Sequence, residues 1–311
     1  MGKKEIMINF LIRIVLPKGC AILFFIQIVN FSYAQELKLA GVSFAHYPKS
    51  EMKNGGGNQE TAFNEFGAFI NVPWKLKNGK TALINGLGYG FVEANMYNYQ
   101  SFQTKEFSRK LQLIYYQFSL VHKWNKKWAL VVNMKPTIAS DFDEKISGDD
   151  FVFQGAVFAT RTFSDKFKLG GGLVSTIRWG TPVLLPIVNF EYKYKKHKIK
   201  GVLPVSTKYT YSLLPNKKLN LGLKYARNGA TFNILSKDFS EINKVSYSRA
   251  NIGGLVNYQL TKLLRLEVNA GISTGRIYNL VNENKNVSDF NSKAAPFFSF
   301  GIALVPPKKE K

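Results

Sequence analysis

The stretch RLEVNAGIST, residues 265–274, alternates polar and apolar side chains without a break. Arg265, Glu267, Asn269, Gly271 and Ser273 take one parity; Leu266, Val268, Ala270 and Ile272 take the other. Successive residues of a β-strand point to opposite faces, so this segment has one wet face and one apolar face. A soluble sandwich turns the apolar face inward, whereas a membrane barrel turns it outward to lipid. Alternation alone does not choose between the two, and the surrounding chain has to.

Working outward, the pattern recurs along the chain. Leu219, Leu221, Leu223 and Tyr225 alternate with Asn220, Gly222, Lys224 and Ala226, and Phe298, Phe300, Ile302 and Leu304 alternate with Ser299, Gly301 and Ala303. Tight turns occur at Lys77–Lys80, Asn125–Lys127, Ser164–Lys166, Lys195–Lys198, Pro215–Lys218 and Leu260–Leu263. The first contains Asn78-Gly79, the pair best suited to a two-residue hairpin. Between these turns lie longer polar links at Lys49–Glu60, Asn98–Lys110, Asp141–Asp150, Ser236–Lys244 and Asn282–Lys293, and short ones at Trp179–Pro182 and Leu203–Val205. Six tight turns alternating with seven outer links predict fourteen strands, or twelve if the weak segment Ile199–Leu203 forms none. Short turns on one rim and long loops on the other are the layout of bacterial outer-membrane barrels.

Aromatic placement chooses between sandwich and barrel. Trp74 precedes the first tight turn, Trp124 and Trp128 flank the second, Phe163 and Phe167 the third, and Tyr192 and Tyr194 precede the fourth. Large amphipathic rings recurring at one height form an interfacial girdle, half in lipid and half in water. The expected fold is therefore all-β: a transmembrane antiparallel up-and-down barrel, with the apolar face of RLEVNAGIST pointing outward.

Residues 1–34 read as a secretory signal peptide, with Lys3, Lys4, Arg13 and Lys18 beside the apolar core Cys20–Val29 and small residues ending at Ala34. Residues 35–311 then form the barrel domain. The single cysteine falls in the leader, so disulfides and thiolate metal sites are excluded from the barrel. A formal net charge of +23 would ordinarily suggest nucleic acid. Export argues against that partner, and so does the placement of the cations around turns.

A leader ending in Tyr33-Ala34-Gln35, a Lys/Asn-rich body, the arm PVLLPIVNFEYKY (182–194) and the closing strand FFSFGIAL (297–304) resemble outer-membrane β-barrel proteins of Bacteroidota, and one uncharacterised family among them. The resemblance covers essentially residues 35–311. It implies a cell outer-membrane location, with lipid and lipopolysaccharide as neighbours, and implies no known activity.

On the parity facing the lumen lie Lys193, Lys208, Lys224 and Arg265, opposed by Glu191 and Glu267. A bore lined this way concentrates anions. Further cations, among them Lys126, Lys127, Lys166, Lys168, Lys195, Lys198 and Lys200, gather around the tight turns. They read either as solvated turns or as a periplasmic collar for an anionic partner. The Gly86–Gly90 run reads as small lumen-facing residues rather than a phosphate loop. Acids cluster in the third outer link (Asp141, Asp143, Glu144, Asp149, Asp150) without EF-hand spacing.

A lipolytic enzyme of the outer membrane would need a Ser–His pair near the outer rim. His46 is at that rim, but Ser43 falls on the opposite face, and His122 and His197 lie by tight turns. No catalytic residue, metal or cofactor is assigned. A barrel of this width is too wide for its wall side chains to fill, so it requires water or a plug. The expected function is a passive channel for small solutes with a modest preference for anions. The alternative is a closed barrel serving as structural anchor or partner-binding module.

Overall fold

The computed structural model describes residues 37–53, 59–97, 106–178, 181–214, 218–234, 243–282 and 285–307; the expected signal peptide lies outside them. The strands are β1 (Ala40–Glu51), β2 (Glu60–Lys75), β3 (Thr81–Tyr97), β4 (Glu106–Lys123), β5 (Trp128–Ser140), β6 (Phe151–Thr162), β7 (Phe167–Arg178), β8 (Thr181–Tyr194), β9 (His197–Leu203), β10 (Ser206–Ser212), β11 (Leu219–Asn233), β12 (Lys244–Gln259), β13 (Leu264–Asn282), β14 (Lys285–Ser292) and β15 (Ala295–Leu304). Each pairs antiparallel with its sequence neighbour through β13, and β15 returns to pair with β1. The lower half of β13 pairs with β15 and its upper half with β14, so these two form one stave. The result is a closed antiparallel barrel of fourteen staves, with no free edge along the closure.

Among the described residues, tight turns are made by the residues that mark them in the sequence; the turn expected at Pro215–Lys218 lies largely outside those residues. Gly79 has φ +66°, and the Asn78 side chain accepts from the N–H groups of Lys80 and Thr81 at 3.0 Å. Asn125 accepts from Lys127 and Trp128, Ser164 from Lys166 and Phe167, and Thr261 from Leu263 and Leu264. Such side chains satisfy turn N–H groups locally and set the register of the hairpin.

The apolar parity faces outward. Ile70, Leu87, Leu184, Leu223, Ile252 and Ile272 are among the exposed large side chains of the wall. Val268 lies opposite Val256 and Phe300, both exposed on the same outer face. Arg265, Asn269 and Ser273 turn inward and are buried. A closed wall wearing its apolar face outside satisfies the backbone internally, as a lipid-spanning structure must.

The link expected at Asn282–Lys293 is largely the strand β14. Its sequence, KNVSDFNS, shows no strict polar–apolar alternation that would reveal a strand.

The wall is uneven. β9 and β10 have 7 residues each, and their last pairs with neighbours are Leu203↔Val188 and Ser206↔Ala226. Above that level the upper parts of β8 and β11 have no pairing with each other among the described residues. The Lys193 N–H bonds toward β7, so even-numbered residues of β8 direct their backbone to the other side. Pro182 and Pro186 therefore stand on that unpaired edge, where a missing N–H costs no ladder bond.

Candidate functional site

The inward surface of the barrel assembles polar side chains away from lipid, and its two ends differ. At the tight-turn end, cross-strand register aligns Glu191 with Lys200, Lys200 with Lys208, and Lys208 with Lys224, so three lysines stand side by side on adjacent staves. Like charges directly opposite are unfavourable in a sheet unless anions offset them. Glu191 is buried and receives Lys193 at 2.7 Å and Lys198 at 3.0 Å, with Lys168 at 3.9 Å. Glu267 pairs with Lys38, and Arg265 donates to Gln259 at 3.3 Å. The bore thus contains Lys193, Lys208, Lys224, Arg265, Glu191 and Glu267. It also receives Lys168, Lys198 and Lys200, which sequence reading placed in the rim collar. Their position within a residue or two of a turn hides the fact that parity, not proximity to the turn, sets their direction.

Glycines on the inward face make room for larger neighbours. A Cβ at Gly88 would come within 2.2 Å of the Tyr115 ring, and one at Gly172 within 2.1 Å of the Val157 carbonyl. On the outside, Trp74 (66% exposed), Trp124, Trp128, Phe163, Tyr192 and Tyr194 are exposed beside the tight turns. Phe163 and Phe167 pack 5.6 Å apart.

The outer end is different. Ser140 at the top of β5 pairs in parallel with Asn233 at the top of β11, although five staves separate them around the wall. The Asp141 N–H donates to the Asn233 carbonyl at 3.3 Å. A single 3₁₀ turn, Gly148–Asp150, fastens this seam: Asp150 accepts from Asn233 Nδ2 at 3.0 Å and from the Ser147 N–H at 2.7 Å. Burial alone would raise the Asp150 carboxyl, but these bonds, with others from the Ser140 and Ser147 side chains, hold it below the ordinary carboxylate range.

The seam reduces the upper barrel to nine staves, β11 through β15 (β14 and β15 as one) and β1 through β5. A bore that narrow is filled by its own side chains. Tyr47, Phe63, Leu111, Phe232, Tyr278 and Phe297 are each 3% exposed or less and belong to one apolar cluster. This corrects the expectation that the wall is too wide to fill itself; tertiary folding removes five staves from the circumference at that height. Arg249 and Arg276 are embedded in this cluster, each 1% exposed. Sequence reading missed them because inward arginines in a barrel look like ordinary lumen charges.

Each histidine has a neighbour of another type: His46 meets Asn64 Oδ1 at 2.7 Å, His122 meets Thr81 Oγ1 at 2.8 Å, and His197 meets the Tyr209 hydroxyl at 2.8 Å. In the acidic outer link Asp143 pairs with Arg109 at 2.5 Å. No group of three or more metal-ligating side chains is found among the described residues.

A family model described as a domain of unknown function (DUF6268) matches residues 25–305. Among curated proteins no sequence match is found. Among solved structures, the chain is similar to a monoaromatic hydrocarbon channel, the TodX deltaS2 mutant (TM-score 0.45, 11% identity, 86% of this chain and 89% of that one). It is also similar to an outer membrane channel from Pseudomonas putida F1 (0.42, 7%, 89% and 100%) and to the outer membrane phospholipase of Salmonella typhi (0.34, 10%, 89% and 94%). At these scores the fold rests on the strand register above.

Proposed function

We propose that this chain, which belongs to the DUF6268 family, is a passive outer-membrane channel for small solutes with a modest preference for anions. The observation that carries the reading is the in-register row Lys200, Lys208 and Lys224 inside the tight-turn end of the bore. Stacked lysines in a low-dielectric wall raise the local concentration of anions and lower the barrier to their entrance. Because the outer end is packed shut on the axis, solute leaves through the break in the wall between β8 and β11. The work is transport rather than catalysis, consistent with histidines engaged by Asn64, Thr81 and Tyr209. Lipid, lipopolysaccharide and an anionic periplasmic partner at the lysine-rich turns are the neighbours this reading implies.

A second reading, the closed barrel as anchor or partner-binding module, is favoured by the apolar cluster that fills the outer end. One experiment separates them. Purified protein in a planar bilayer under a salt gradient should show discrete conductance with a reversal potential on the anion side. Clear cation selectivity would remove the anion preference. Silence in wild type, persisting in a variant that opens the outer cluster, would establish the closed barrel. Location is tested on intact cells: a tag within residues 143–147 should label and one at Lys126-Lys127 should not.

A further inference from the structure

Among the described residues, the acids around the outer cluster do not balance its buried arginines. Arg249 gives Nη2 to Glu65, which also accepts from the Tyr247 hydroxyl at 2.8 Å. Its guanidinium lies 3.7 Å from the centroid of the Tyr47 ring and 4.7 Å from that of Tyr247. That one ion pair accounts for one positive charge. Arg276 donates Nε to the Tyr278 hydroxyl at 3.1 Å, while Nη1 and Nη2 have no partner among the described residues. Opposite it in register is Ser292, whose hydroxyl is buried and also without a partner among the described residues. Both guanidinium groups lie 5.8 Å from the centroid of the Phe63 ring, so they flank one aromatic side chain. Gly275, at φ +58°, sits in the break of the β12–β13 register and gives β13 the irregular backbone that carries Arg276 inward.

We infer that Arg276, with the Ser292 hydroxyl beside it, forms a binding site for a compact monovalent anion, either a free halide or a small carboxylate, at the outer end of the bore. The physical reason is charge. A guanidinium withdrawn from water pays a large desolvation cost unless it is both hydrogen-bonded and neutralised. Water supplies acceptors but no charge; an anion supplies both, and two adjacent Nη–H groups present the fork that carboxylate and halide accept. Aromatic rings lend partial attraction to a cation but do not neutralise it. The inference is independent of conduction: the site exists whether or not solute passes.

The test reads stability instead of current. The full protein, refolded in lipid vesicles, is unfolded in urea in sodium chloride, sodium formate or sodium gluconate at equal ionic strength. Gluconate is too bulky to enter and serves as the reference. A bound anion raises the folding constant by one plus its concentration over its dissociation constant, about tenfold at ten times that constant. Wild type should show this saturable gain in chloride or formate, Arg276→Gln should lose it, and Lys75→Gln, at an exposed position beside the first tight turn, should keep it. A gain in both salts means a site open to either source, and a gain in one alone names it. If Arg276→Gln does not fold, chloride-35 NMR of wild type decides: line broadening relieved by formate supports the site, and a line unchanged by protein overturns it. Equal midpoints in all three salts, or equal gains in wild type and Arg276→Gln, overturn it as well.

Discussion

The two ends of one bore are built from the same staves by the same alternation, yet one end is packed and the other is charged. At the tight-turn end, inward positions carry Lys193, Lys200, Lys208, Lys224 and Arg265 around two glutamates. At the outer end they carry Tyr47, Phe63, Phe232 and Tyr278 around two arginines. The difference follows from circumference. Where fourteen staves form the ring, charged side chains are tolerated because they pair with one another, as Glu191 does with Lys193 and Lys198. Where the β5–β11 seam cuts the ring to nine, facing side chains meet and aromatic ones are stabilised by burial. A barrel is thus wide or narrow by height, not only by strand number.

The largest effect should come from emptying the packed end. Phe232 is 0% exposed, and Phe232→Ala removes a ring at the seam. Urea unfolding in vesicles should show a loss of about 3–5 kcal/mol. Stability within the error of wild type would mean the outer end is not a core. The outer face supplies the next test. Val268→Arg places a charge in hydrocarbon and should cost ~2–4 kcal/mol, whereas Val268→Phe should match wild type because lipid accommodates the ring. Destabilisation by both variants would place Val268 in a packed interior.

The seam has a pH signature. Asp150 has a folded-state value below its unfolded one, so it contributes stability above the unfolded value, and that contribution is lost as pH falls through the folded value. Asp150→Asn should therefore cost about 1.5–3 kcal/mol at neutral pH. The gap between variant and wild type should close below the ordinary carboxylate range, near pH 4 and under. A gap unchanged by acid would mean the carboxylate charge is not what holds the seam. The smallest stability effect belongs to the charged end. Replacing Lys200, Lys208 and Lys224 together by Gln should leave unfolding within about 0.5 kcal/mol per site, while moving the reversal potential toward zero. An unaltered reversal potential would detach selectivity from the lysine row.

Much of the architecture was legible in the chain. RLEVNAGIST displays its two faces, the Asn78-Gly79 pair makes the turn expected of it, and parity places Lys208, Lys224 and Glu267 on the inward side. These features are local, because strand alternation and turn chemistry depend on residues a few positions apart. β14 reads as a loop in the sequence because KNVSDFNS lacks a strict polar–apolar alternation. Nearness to a turn marks Lys168, Lys198 and Lys200 as rim charges, and only their parity shows that they point inward.

What the sequence determined by itself is the number of staves and the direction of each face, both consequences of short-range periodicity. What only the tertiary structure decided is the meeting of Ser140 with Asn233 across the ring, and with it the closure of the outer end and the burial of Arg249 and Arg276. No periodic signal encodes that contact, because its partners are more than ninety residues apart and meet through a single bridge and one capped turn. A pairing of that kind is set by the balance of the whole ring, in which narrowing the bore buries enough aromatic surface to hold two distant staves together.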